Sequence, residues 1–145
     1  MNKEYICYCG LYCENCAVKS KVEPAAKILH EEMQKAGFED IIQFLPEGEG
    51  FWSFLKMISQ KGACISCREG SVNPDCAIRI CARKKDIEIC ALCKQYPCEN
   101  FAGLLKTYST LAEDNAVFRS EGPGEWSKMQ DERRANNFAY KRAGF

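Results

Sequence analysis

Seven cysteines fall between residues 64 and 98, in the stretch CISCREGSVNPDCAIRICARKKDIEICALCKQYPC, and three more lie in CGLYCENC at residues 9–16. The 145-residue chain holds eleven cysteines and a single histidine. No other feature narrows its folding options as much, because a chain this dense in thiols has to bridge them, bury them or bind something with them. The N-terminal residues MNKEYICYCG lack the basic start, apolar run and small-residue cleavage site of a signal peptide. No stretch approaches the roughly 20 apolar residues of a membrane span. The expectation is a cytoplasmic protein with no membrane partner. In that reducing compartment, dense cysteines point to metal binding rather than to disulfide staples.

Spacing divides the cysteines. Cys9, Cys13 and Cys16 form C-x3-C-x2-C; Cys64 with Cys67 and Cys90 with Cys93 form two further C-x2-C pairs; Cys76–Cys81 and Cys93–Cys98 are C-x4-C. A two-residue gap lets a tight turn aim both sulfurs at one ion while backbone N–H groups face the thiolates, the construction of zinc knuckles. These ten cysteines are the candidate metal ligands. Two partitions are open: Cys64, Cys67, Cys76 and Cys81 on one ion with Cys13, Cys16, Cys90 and Cys93 on a second, or Cys64 and Cys67 facing Cys90 and Cys93. Cys9 and Cys98 are ligands, bridged to one another, or packed beneath a site in either scheme. Cys7 lies outside every pair and reads as a small buried hydrophobe.

The order CGLYCENC, helical insert, CISC, CAIRICA and CALCKQYPCENF, from about Tyr5 to Phe101, resembles the prokaryotic family catalogued as domain of unknown function 3795. GEWSKMQDER resembles a Trp-containing segment that many members carry near their C-termini. The resemblance implies a cysteine-based metal site and brings no mechanism with it. Some members carry a further CPxCG near the end, and RRANNFAYKRAGF has no counterpart to it.

Zinc is the first reading of the metal and an iron–sulfur cluster the second. C-x3-C-x2-C is also the cluster spacing of radical S-adenosylmethionine enzymes, but these need a large α/β barrel that the chain has neither the length nor the pattern to form. The ferredoxin run C-x2-C-x2-C-x3-C-Pro is missing. There is no phosphate loop, dinucleotide fingerprint or nucleophile elbow. With one histidine, a Cys–His catalytic scheme has a single candidate base, and no catalytic residue is assigned.

The rest reads as scaffold. Hydrophobic residues make up 46% of the chain, enough for a modest core. EPAAKILHEEMQKAG predicts an amphipathic helix with Ala25, Leu29, Met33 and Ala36 on its apolar stripe and His30 on a solvated face. A short helix, a break at PEGEG and a second helix follow, the second with Phe51, Trp52, Phe54, Leu55 and Ile58 in the core. Phe101, Leu104, Leu105, Tyr108 and Leu111 predict a further helix, EGPGEW a break, and Trp126 and Met129 a short last helix. EYICYC alternates briefly, as a strand would.

The expected fold is mainly α: a small, metal-stabilised single domain with irregular cysteine-knuckle loops at 7–16 and 64–98, little β, helical scaffold over 22–60 and 99–135, and a loose tail at 136–145. Twenty basic against twenty acidic residues leave no net charge to steer it to nucleic acid. Arg68, Arg79, Arg83, Lys84, Lys85 and Lys94 crowd the knuckles as counter-charges to thiolates or, alternatively, as a basic face. The expected function is a noncatalytic zinc module with structural four-cysteine sites, acting through protein or nucleic-acid contacts. The alternative is an iron–sulfur, thiol-redox or metal-handling protein.

Overall fold

Helical periodicity governs wherever cysteines are sparse, and the computed structural model, which describes residues 3–70 and 73–140, is mainly α. Its helices are α1 (Glu23–Lys35), α2 (Phe38–Ile41), α3 (Gly48–Lys61), α4 (Ala77–Lys84), α5 (Glu99–Thr107), α6 (Leu111–Ser120) and α7 (Gly122–Ala135). Among the described residues no strand forms. The alternation in EYICYC gives a 3-10 turn at Lys3–Tyr5 and a single antiparallel bridge, Ile6 to Tyr12. The chain divides into two compact units, residues 18–64 and residues 1–17 with 65–145.

In the 18–64 unit, Pro24 opens α1, where its missing N–H costs nothing. Gly37 ends the helix in the left-handed region at φ +74°. α1 packs on α3 through Ala26, Leu55 and Ile58, with Met33, Trp52 and Ala63 around them. The inward stripe sits one position later than the periodicity predicts: Ala26 and His30 are buried, while Ala25 and Leu29 are exposed.

His30, expected on a solvated face, is 5% exposed. The reason is Trp52: the imidazole lies against the indole with centroids 4.8 Å apart, so an aromatic ring face substitutes for a leucine on the stripe. Phe51 and Phe54, expected in the core, are exposed, and only Leu55 and Ile58 of that helix are buried hydrophobics. At PEGEG the chain turns through Glu47 at φ 59°. α3 then starts at Gly48, where a Cβ would lie 2.1 Å from the Ile42 carbonyl oxygen.

The other unit holds two apolar clusters. Trp126 is fully buried, with Tyr12 and Phe118 edge-on to it at 5.8 and 5.7 Å and Ile6, Ile89 and Ala91 beside them. Ile78, Phe101 and Leu111 form the second. The helix predicted through Phe101–Leu111 is two helices, because Tyr108 is extended and ends α5 before Leu111 opens α6. EGPGEW does not merely interrupt: Gly122 and Pro123 open the 14-residue α7.

Asp114, Asn115, Gln130 and Asn15 are wholly buried between these elements. Asp114 pairs with Arg133 at 2.5 Å, and Asn15 Nδ2 donates to Gln130 Oε1 at 2.8 Å. Tyr140, expected within a loose arm, is buried. Its hydroxyl donates to Gln130 Oε1 at 2.9 Å and accepts from the Tyr12 N–H at 3.2 Å. The remainder of that arm, 141–145, and residues 71–72 of the REGSVNPD loop lie outside the described residues.

Candidate metal centre

Two of the C-x2-C pairs are built alike. Cys13–Asn15 and Cys90–Leu92 are each one 3-10 turn, closed by Cys16 N–H to Cys13 C=O at 3.0 Å and by Cys93 N–H to Cys90 C=O at 2.9 Å. The first turn packs on α7 and the second on α6. The backbone joins them: the Cys90 N–H donates to the Tyr8 carbonyl at 2.8 Å. Gly10 is required in the first motif. Its φ is +95°, and a Cβ there would lie 1.9 Å from Asn115 Oδ1. The Asn115 amide donates to the Cys9 carbonyl and to the Tyr96 hydroxyl, both at 3.0 Å, so α6 fixes CGLYC and KQYPC together.

Cys81, Cys90, Cys93 and Cys98 line one cavity of about 20 Å³, walled by Ile78, Ala82 and Phe101. Cys81 comes from α4, Cys90 and Cys93 from the 3-10 turn and the residue that ends it, and Cys98 is the N-terminal cap residue of α5. Lys85 stands on the same rim, donating to Gln95 Oε1 at 2.6 Å. Burial first, then the charges of Cys9, Cys93, Cys81 and Cys98, push the Cys90 thiol up to about 12.

The four thiols line a space large enough for about one water-sized occupant. As placed, the thiols line the cavity without closing on one point. Among the described residues no three His, Cys, Asp or Glu side chains are disposed to hold a metal ion.

A second set surrounds Cys7. Its sulfur is 3.4 Å from that of Cys13, and Cys67 and Cys9 are near enough to act on its thiol electrostatically. Donating to Cys13, Cys67 and Cys9, and then burial, raise the Cys7 thiol well above its ordinary value. Cys67 is lowered to about 6, first by accepting from Cys7, then by the Tyr8 N–H and the nearby Arg79 guanidinium.

Neither sequence-derived partition matches these groupings. Cys81 joins Cys90, Cys93 and Cys98 rather than closing a compact unit, and Cys9 stands near both sets. Cys76 caps α4 and packs in the apolar cluster with Phe101, and Cys16 bridges to Tyr140. Cys64 lies at the end of the 18–64 unit. All eleven cysteines are without disulfides among the described residues.

The three arginines among the basic residues of the knuckle region are engaged by backbone. Arg79, 4% exposed, donates to the Asn73 and Pro74 carbonyls. Arg68 donates to Ile6 and Glu88 and stacks on the Tyr8 ring at 4.0 Å. Arg83 donates to the Arg68 carbonyl. Arg83 and then Arg68 beside the phenol lower Tyr8 from its ordinary value. Sequence reasoning set Cys7 aside because it falls outside every cysteine spacing motif, although Cys13 is only six residues on, and missed Asn115, whose only signal was a polar pair inside an otherwise helical EDNAV.

Fold and site together define a mainly α, cysteine-rich protein in which thiols from distant segments converge beside buried aromatic cores. The profile of the family described as "Protein of unknown function (DUF3795)" matches residues 5–103, and the chain belongs to that family. Comparison with curated proteins and with solved structures gives no match. Among the described residues no helix is long and apolar enough to cross a membrane.

Proposed function

We propose that the protein is a noncatalytic zinc-binding module in which Cys81, Cys90, Cys93 and Cys98 hold one ion. The observation that carries this reading is the convergence of four cysteines, from α4, one turn and the start of α5, on a single small cavity. An ion there supplies a cross-link between those segments, and its binding free energy becomes folding free energy.

The chain's own residues favour that occupant. Ile78 and Phe101 give the thiols an apolar wall. Lys85 offsets the net −2 charge that four thiolates leave on a divalent ion. A cavity of one-ion size favours zinc over an iron–sulfur cluster. An ion taking all four sulfurs would have no open position for a substrate, which is the arrangement of a structural rather than a catalytic site. The protein then acts through contacts with a partner protein. The engagement of Arg68, Arg79 and Arg83 by carbonyls weighs against a nucleic-acid face.

The test is elemental analysis with a visible spectrum on anaerobically purified protein, repeated on Cys93→Ser and Cys98→Ser. Each variant is expected to lose about one zinc per chain, with no visible band before or after. Iron with acid-labile sulfide, or an unchanged zinc content in both variants, overturns the reading.

A further inference from the structure

Exposed apolar side chains are concentrated in one unit. Nine of the twelve large hydrophobics that stand in solvent among the described residues belong to 18–64. On the helices they follow a pattern. α1 and α3 run antiparallel: the Ala63 N–H, just past the end of α3, donates at 2.9 Å to Glu23 Oε1 at the start of α1, while His30 meets Trp52 further along. The inward positions are Ala26 and His30 on α1 and Trp52, Leu55 and Ile58 on α3. The residue before each is Ala25, Leu29, Phe51, Phe54 or Met57, all apolar and all exposed. The residue after each is Lys27, Glu31, Ser53, Lys56 or Ser59, all polar. One step in the same sense about two antiparallel helices leads to the same side of the pair, so the pair has one apolar flank and one polar flank.

Charge divides the pair along its length instead. The end made of residues 18–28 and 56–64 holds five basic side chains and one acidic, and the end made of 29–55 holds six acidic and one basic. A flank polarised in this way matches a copy of itself turned end for end. Apolar surface meets apolar surface, and each basic end meets an acidic one, twice over.

We propose that a second copy of this chain docks on the apolar flank, the two helix pairs lying face to face in opposite orientation as an isologous four-helix bundle.

The area suffices for such a contact. At about 200 Å² for a phenylalanine, Phe51 at 45% and Phe54 at 59% exposed leave about 200 Å² in water, and Val22, Leu29 and Met57 bring the flank to on the order of 500 Å² a copy. Two copies can then bury about 1,000 Å², the size at which specific interfaces begin. The same two-fold packing in parallel orientation would set acidic end on acidic end, which costs association.

No cysteine enters this inference, so its failure and that of the zinc reading are separate events: one is read as mass, the other as metal content. The experiment is sedimentation equilibrium on the full chain, reduced and with its metal as purified, from micromolar to submillimolar concentration. The wild type should pass from the mass of one chain to that of two. Phe54→Ser on α3 and Leu29→Ser on α1 should each raise the dimer dissociation constant about tenfold or more. At dilution, where single chains prevail, both should unfold as the wild type does, because neither residue belongs to the buried cluster. Glu47→Lys and Lys61→Glu, one at each end, should each weaken the dimer a few-fold, and the two together should return it to within about twofold of the wild type.

A single-chain mass at every concentration overturns the proposal and leaves the flank to the cysteine-rich unit or to a different protein. A dimer that neither serine variant weakens overturns it as well, since the contact then lies elsewhere. Charge reversals whose losses add instead of cancelling overturn the opposite orientation.

Discussion

The two units solve the same problem of size by opposite means. Residues 18–64 form a helix pair whose buried apolar cluster is Ala26, Leu55 and Ile58, and they leave Ile28, Phe44, Phe51 and Phe54 in solvent. The other unit carries ten of the eleven cysteines, and it buries Trp126, Tyr12, Phe101 and Leu111 together with Asp114, Asn115, Gln130 and Asn15. In the first, order follows from helix propensity and one inward stripe. In the second, it depends on polar and sulfur groups that gain only when every partner is in place. The difference predicts that substitutions of similar size have large effects in the cysteine-rich unit and small ones on the exposed face of the helix pair. Each unit has its own tryptophan, Trp52 or Trp126, so Trp52→Phe gives a background in which fluorescence reports the cysteine-rich unit by itself.

The largest effect is expected at Arg133. Its guanidinium holds the wholly buried Asp114 at 2.5 Å, and removing one member of a buried ion pair costs about 3–5 kcal/mol. In denaturant melts followed by Trp126, Arg133→Met should fall short of the wild type by that order. The deficit has a pH signature. Burial lifts the Asp114 carboxyl above its ordinary value, and Arg133 pulls it partly back.

A carboxyl raised in the folded state contributes full stability below its unfolded value and loses it as pH rises through the folded one. Without Arg133 the folded value rises further. The deficit of Arg133→Met should therefore be greatest at neutral pH and shrink on acidification towards Asp114 protonation. A deficit independent of pH would show that Arg133 acts through packing on Phe138, 5.2 Å from its guanidinium, and not through charge.

A smaller cost is expected at Gly10, where the first motif meets α6. Alanine there meets Asn115 Oδ1 and occupies a positive φ, a combination worth about 2 kcal/mol. Gly10→Ala combined with Asn115→Ala relieves the contact but not the backbone strain. The double variant should recover part of the loss relative to the sum of the single ones. Strict additivity in that cycle would mean that Gly10 is needed for its φ only.

Local spacing was the legible part of the sequence. The C-x2-C pairs at Cys13–Cys16 and Cys90–Cys93 do form matching turns, because a two-residue gap sets its own geometry. Helices were legible as periodicity, and the mainly α fold followed. Grouping and phase were not. Which cysteines meet is decided by contacts such as Cys90 N–H to Tyr8 C=O and Arg68 to Ile6, made between segments more than sixty residues apart, and spacing within a motif carries no trace of them.

The stripe of α1 falls one residue from its predicted phase because Ala25–Leu29–Met33 and Ala26–His30–Met33 are both helical ridges, and only the presence of Trp52 opposite chooses the one with an imidazole in it. No periodicity marks Tyr140, so the sequence offers nothing to separate it from a loose arm. Its burial comes from Tyr12, Gln130 and the bridge to Cys16.

The smallest effect sharpens the comparison from the other side. Phe44 is 77% exposed, in a unit with few buried hydrophobics. Its area is already in water, so Phe44→Ser forfeits almost no burial, and stability followed by Trp52 in a Trp126→Phe background should stay within about 0.5 kcal/mol. Leu55→Ala, in the buried cluster of the same unit, supplies the contrast at about 2–5 kcal/mol. If Phe44→Ser instead approached that larger figure, the exposed face would have to be covered in solution, and the helix pair would owe part of its stability to a partner outside its own apolar core.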